Sequence, residues 1–300
     1  MARTLVSLLV VFVVGGCAPI PKPVSTPVKV QPLPAAVTPI ETETSAYKAQ
    51  SFWFSKDAEQ GGLVTARAPS GTTTVLVNGI EIPVTPDGVF LMGFDRDSEN
   101  SASLVARLKR DGTVEHYLPV KPGNWRIENV NASPTGGAAT SAEFRARRGA
   151  ELARISAARG SKGTTDGWRQ EFVRPVAGRI SGLFGAQRIY RGTRGSYHSG
   201  MDIAAATGTP FVAPADGIVV LAAAQDFTLE GRLLMIDHGM GLNSAFLHCS
   251  ELLVNEGDYV KKGQVIGKVG MTGRASGPHL HWGMKWNNAR VDPKVLIPAE

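Results

Sequence analysis

Three features of the sequence predict a mainly β fold. Short apolar runs alternate with turn residues, Gly (34) and Pro (19) are frequent among the 300 residues, and long stretches with a helical period are scarce. The architecture expected is a C-terminal domain built on an antiparallel β-sheet or sandwich, preceded by a small immunoglobulin-like β-sandwich and a linking helix. A hydrophobic content of 43% with 19% charged residues is that of a folded chain long enough for two modest domains. The excess of 32 Lys+Arg over 26 Asp+Glu is spread without long runs, which suits an anionic surface or envelope better than nucleic acid.

Residues 1–16, MARTLVSLLVVFVVGG, carry one Arg and then an unbroken apolar run too short for a comfortable membrane span, the pattern of an export signal. Val14-Gly15-Gly16-Cys17 resembles the bacterial lipobox, in which Cys17 becomes the lipidated first residue. A cleaved signal without lipid and an interfacial anchor are the alternatives. The Pro-rich run at 17–46 has no aromatic residue and reads as an extended tether of polyproline type.

Residues 47–130 are expected to hold the small sandwich. Thr74–Val77 and Ile80–Val84 flank the turn dipeptide Asn78-Gly79, Val89–Leu91 follows Pro86-Asp87-Gly88, and further strands are expected at Ser103–Leu108 and His116–Val120. In the linker, 131–170, Thr140-Ser141-Ala142-Glu143 has capping-box spacing. Phe144, Leu152 and Ile155 share one side of the helix that follows, Gly160 ends it, and its Arg-rich opposite face is expected in solvent. From 171 to 300, Gly-bounded strands recur about every ten residues, among them GRISGLFG, GRLLMIDHG, GLNSAFLHC and HLHWGMKW.

Five of the six histidines lie in this last domain: His198, His238, His248, His279 and His281. The sixth, His116, falls in a strand of the middle domain and is expected to be an ordinary surface or satisfied histidine. In Tyr197-His198-Ser199-Gly200-Met201-Asp202 a His and a carboxylate are separated by a Gly that lets the backbone turn, so two side chains can converge on one ion. His279-Leu280-His281 puts two imidazoles on one face of a strand. Each pattern alone also occurs without a metal. Together they offer two His and one carboxylate, a ligand set for catalytic Zn²⁺, while His248 and the spare His of the pair are available to move protons.

The segments HSGMDIAAATGTPFVAPADGIVV, MIDHGMGLNSAFLHCSELLVNEGDYVKKGQVIGKVGMTGRASGPHLHWGM and GRISGLFGAQRIYRG resemble the lysostaphin/LytM-type zinc metallopeptidases of bacterial cell walls, over roughly residues 172–295. The resemblance implies a C-terminal metallopeptidase domain with His198, Asp202 and His281 as zinc ligands. It implies that His248 and His279 flank the water, orient it, stabilise the oxyanion and shuttle protons. The implied activity is hydrolysis of peptide cross-links in peptidoglycan, with no nucleic-acid partner. The signal, lipobox and tether add an expected location, the periplasm of a Gram-negative bacterium with anchoring through lipidated Cys17 to the outer membrane, and a regulatory envelope protein is a candidate further partner. The middle β domain and helix look like those preceding such peptidases in some Gram-negative exported proteins.

The chain departs from the family's common Tyr-Ala-His-Leu at Phe246-Leu247-His248-Cys249. Cys249 is expected to be a small buried residue facing away from His248. His238 is expected to fix a turn. Arg188, Arg274 and Trp282 are candidates to line a substrate groove, against the ordinary roles of solvated Arg and packed Trp. The alternative function is a non-enzymatic activator of a cell-wall amidase, a role of degenerate family members that lack metal ligands; none is missing here. Gly257–Ile266 is similar to the hairpins of biotinyl and lipoyl carriers, a likeness of hairpin architecture without a signalled lysine.

Overall fold

The structure, a computed structural model, describes residues 50–110, 112–132, 141–161 and 163–298. The export signal, Cys17 and the tether expected at 17–46 lie outside the described residues. Among the described residues no helix is long and apolar enough to cross a membrane.

The first region is built from two sheets. A three-stranded sheet holds Trp53–Phe54, Leu63–Arg67 and Val89–Gly93, and a five-stranded sheet holds Ala58–Glu59, Gly112–Lys121, Ser101–Leu108, Thr72–Val77 and Ile80–Ile82. Alternation fills the space between them: Val64, Ala66, Phe90 and Met92 of the first sheet share one core with Val75, Leu104, Ala106 and Val120 of the second. Asn78 and Gly79 both have positive φ (50° and 78°), the left-handed pair that a two-residue hairpin requires.

The second region carries an eight-stranded antiparallel sheet. Along it lie Arg179–Gly182, Met201–Ala204, His279–Trp286, Leu242–Cys249, Arg232–Asp237, Gly217–Ala222 and Tyr259–Val260, with Ala289–Val291 folding back on His279–Trp286. The sequence HLHWGMKW explains its two faces. Leu280, Trp282, Met284 and Trp286 are buried in the main core, so His279, His281, Gly283 and Lys285 face the other way, into a groove.

Helix α1, Ala142–Gly160, lies on that groove side. Its cap is Ser141, whose hydroxyl accepts from Phe144 N–H at 3.0 Å, one residue later than the Thr140 start expected from the capping box. Ile155 and Ala158 pack on Leu221, Phe227, Leu233 and Met235. Leu152, expected beside Ile155 in the core, is 49% exposed. The arginine face is not simply solvated either. Arg148 donates to both carboxylate oxygens of Glu230 at 2.5 and 2.7 Å, and Glu151 accepts from the Thr228 N–H and hydroxyl at 2.7 and 2.6 Å.

The two regions are joined by more than chain connectivity. Ile127–Val130 pairs in parallel with Gln187–Tyr190, Asp292 N–H donates to the Gly61 carbonyl, and Gly93 leaves room for Trp286, whose Cβ would stand 2.8 Å from an added methyl. Arg96 lies over the rings of Trp125 and Tyr197 and donates to the Gly185 carbonyl.

Candidate active site

Strand pairing brings the two histidine clusters together. Met201–Ala204 runs antiparallel to His279–Trp286 with Asp202 opposite His281 and Ala204 opposite His279. His198 enters from the preceding loop, which is held by its N–H donating to the Ala186 carbonyl and by Gly185 N–H donating to the His198 carbonyl, both at 2.8 Å. His198 Nε2 is then 3.0 Å from Asp202 Oδ1 and 3.1 Å from His281 Nδ1, and His281 Nδ1 is 2.8 Å from Asp202 Oδ1. The three donor atoms lie within 4.8 Å of one another.

Clearance makes this convergence feasible. A Cβ at Gly182 would stand 2.3 Å from Asp202 Oδ2, and one at Gly200 would stand 2.6 Å from the Trp282 carbonyl and 2.7 Å from His281 Nε2. Gly200 therefore serves by leaving space. It is not among the residues with left-handed φ, so the turn-making role expected from the sequence is not what it supplies.

His248 reaches the site by breaking strand alternation. Leu247 pairs with His281, so a regular strand would turn His248 to the opposite face. Its φ of 64° instead swings the ring back, 4.9 Å from His279 and 6.3 Å from His281 between ring centres. Three backbone carbonyls then set the tautomers, because a carbonyl can only accept. Nδ1–H of His198, His248 and His279 donates to Leu183, Thr272 and Gly277 at 2.9, 2.8 and 2.8 Å. In the neutral rings each Nε2 is left as a lone pair. His279 Nε2 lies 3.6 Å from Asp202 Oδ1.

Burial would raise the pKa of Asp202, but the adjoining His198 and His281 rings, which donate to it when protonated, outweigh burial and hold the carboxyl well below the usual carboxylate range. Burial lowers His281, with Asp202 only partly opposing. For His198 the order reverses: burial disfavours its charge, yet Asp202 wins and raises it. His248 is pushed down to about 4, chiefly by burial and also by its histidine neighbours, so it is a neutral imidazole near pH 7.

His238 is buried, with Nδ1 2.8 Å from the Asp216 carbonyl and Nε2 2.7 Å from Ser244 Oγ, a fixed link between a turn and the sheet. Trp282 is in the core rather than the groove, donating to Ser244 Oγ at 3.3 Å. Arg188 is exposed and paired with Glu128 at 3.0 Å, and Arg274 is exposed. Cys249 is buried, its Sγ donating to the Phe246 carbonyl, and burial pushes its thiol up to about 12. His116 is half-buried against Phe52 and Phe54.

The model of Peptidase family M23 matches residues 196–293. The catalytic domain of a prophage-encoded M23 protein, EnpA of Enterococcus faecalis, crystallised as a point mutant, is 32% identical over 41% of this chain and 89% of its own, with a TM-score of 0.31. The chain belongs to peptidase family M23 through its C-terminal domain. A crystal structure of a Pseudomonas aeruginosa protein provisionally assigned to peptidase M23 matches the fold more widely: TM-score 0.64, 29% identity, 82% of this chain and 97% of that one. Among curated proteins, the peptidoglycan DD-endopeptidase ShyA of Vibrio cholerae is 40% identical over 105 residues, 35% of this chain and 24% of its own. The matched segment thus spans about a quarter of that relative's length.

The M23 family implies a metal, and the residues present fit one. His198 Nε2, whose ring is oriented by a carbonyl at Nδ1, points its lone pair at a carboxylate oxygen and a second imidazole nitrogen. Three electron-rich atoms converging in this way suit a shared cation. The orienting carbonyls of Leu183, Thr272 and Gly277 were not legible as site groups, since any residue supplies a carbonyl. Tyr197 was also missed. Its hydroxyl donates to Asp95 Oδ1 at 2.6 Å and so ties the residue before His198 to the other region.

Proposed function

We propose that this M23 chain is an exported, zinc-dependent endopeptidase that hydrolyses peptide cross-links of peptidoglycan. The observation that carries the reading is the convergence of His198, Asp202 and His281 within 4.8 Å, with two further imidazoles at its edge. His198 Nε2, Asp202 Oδ1 and His281 Nδ1 would hold Zn²⁺. Bound there, Zn²⁺ would supply Lewis-acid polarisation of a scissile carbonyl and make water a stronger acid.

The chain's own residues supply the rest. His248, neutral and with its Nδ1–H fixed on Thr272, presents Nε2 as a base for a water proton. His279, held the same way by Gly277, stands beside it, and only when Nε2 is also protonated can it give a proton to the leaving amine, a loss balanced by the water proton that His248 takes up. In its protonated form it can also face the developing oxyanion with a donor. The ShyA likeness supports a cell-wall peptide as substrate and a bacterial envelope as the setting. Export and lipid attachment at Cys17 rest on the N-terminal sequence.

The test is digestion of purified peptidoglycan by the full-length protein with its metal content measured and His281→Ala run alongside. The expected result is one zinc per chain and loss of cross-linked dimers with the native protein only. Full zinc loading without release of new amino termini would sink the reading.

A further inference from the structure

The groove contains a cavity of about 210 Å³ that adjoins the candidate metal ligands at His281. His281 and Ser199 line it, and so do four cations and one carboxylate: Arg148 and Glu230, which pair with each other, and Arg159 from the last turn of α1, Lys285 and Arg290. Lys285 follows His281 on the same strand face, roughly 13 Å further along, the length of a few residues of an extended peptide. Arg290 is the direct cross-strand partner of Lys285.

Like charges directly opposite each other on a sheet are unfavourable, and here a third joins them. A helix C-terminus attracts an Arg, which accounts for Arg159 but not for the Lys285–Arg290 pair. Among the described residues, neither Arg159 nor Lys285 forms an ion pair. The nearby acids are engaged elsewhere: Glu230 with Arg148, and Asp95 with Tyr197 OH and the Arg290 backbone N–H. Arg159 and Arg290 are exposed to solvent and Lys285 is half-buried, yet crowding by the groove and then Arg290 make Arg159 hold its proton less tightly, and burial, then Arg159 and Arg290, do the same to Lys285. Repulsion of this kind, opening onto a peptide-cleaving groove, is relieved by an anion.

We propose that this cavity is a carboxylate-binding subsite, in which Arg159, Lys285 and Arg290 hold a free carboxylate of the peptide being cut. The proposal rests on the peptidase reading and adds a selectivity to it. A carboxylate is the anion that a peptide itself can carry, and forked guanidinium donors match it. Peptides whose carboxylates are amidated, or bridges made of glycine alone, would be poor substrates.

The experiment uses the full-length protein and the double variant Arg159→Gln/Lys285→Gln, which touches no residue of the cleavage machinery. Substrates are a cross-linked peptide dimer released from peptidoglycan and the same dimer with its carboxylates converted to carboxamides. The native protein is expected to favour the free acid in kcat/KM by about tenfold or more, mainly through KM, the factor that charge-assisted hydrogen bonds supply. The variant is expected to cleave both dimers at the native amide rate and to melt no lower than native, since a repulsion has been removed. Calorimetric titration of each dimer into chelator-treated protein gives a readout without turnover. Preferential binding of the acid, lost in the variant, upholds the subsite even if neither dimer is cleaved, an outcome that sinks only the peptidase reading. Equal handling of acid and amide by the native protein, or equal losses on both in the variant, overturns the subsite.

Discussion

At Gly182 the absence of a side chain gives Asp202 its position. A methyl there would stand 2.3 Å from Oδ2, so Gly182→Ala is expected to displace the carboxylate and lower zinc content well below one per chain, read by metal analysis on folded protein. His238 makes a second prediction at this scale. Its pKa is pushed down to about 4 by burial, against about 6.5 in the unfolded chain. The unfolded state therefore binds the extra proton first. Stability from this group is full above pH 6.5 and is lost as pH falls through 4, by about 3 kcal/mol at the limit. Denaturant midpoints of chelator-treated protein at pH 7 and pH 5 should differ in that direction, and His238→Gln should flatten the slope. The site was legible here to the extent that it consists of side chains: His198, Asp202, His248, His279 and His281 all meet in the fold. What escaped was space and backbone. Nothing local in LHC signals that His248 adopts φ of 64°, and the conformation costs about 1–2 kcal/mol that the surrounding fold must supply.

Among the elements, α1 shows why a correctly located helix can still be misread. Its limits follow from Ser141 and Gly160, which are local signals. Its faces do not, because Glu230, which accepts from Arg148, and Thr228, which donates to Glu151, come from a distant loop beside the sheet. Ile155→Ala is expected to cost about 2 kcal/mol or more, while Leu152→Ala, at an exposed position, should cost well under 1 kcal/mol. Paired urea titrations distinguish them, and equal costs would contradict the packing of the helix. Replacing Glu230 by Gln leaves Arg148 half-buried without its bidentate partner, and α1 should then exchange its amide hydrogens faster than the strands beneath. The sheet itself was easier to read. Strand alternation in HLHWGMKW separates core from groove without help from any other segment.

For the whole molecule, the sandwich bears on the site through Asp95. It accepts from Tyr197 OH at 2.6 Å and from Arg290 N–H at 2.9 Å, one residue away from His198 along the chain. Asp95→Ala is expected to destabilise the fold by about 1–3 kcal/mol and to lower peptidase activity, with a smaller effect on zinc content. Activity at the native level would show that Tyr197 needs no anchor. The parallel pairing of Ile127–Val130 with Gln187–Tyr190 has a further consequence for any shortened form of the protein. Gln187–Tyr190 is the middle strand of its three, so a fragment beginning after Val130 would bare a row of unpaired amides and carbonyls along one side. Such a fragment is expected to self-associate as its concentration rises, sedimenting as dimers and larger species where the longer chain does not, because Ile127–Val130 acts as the chaperone of that edge.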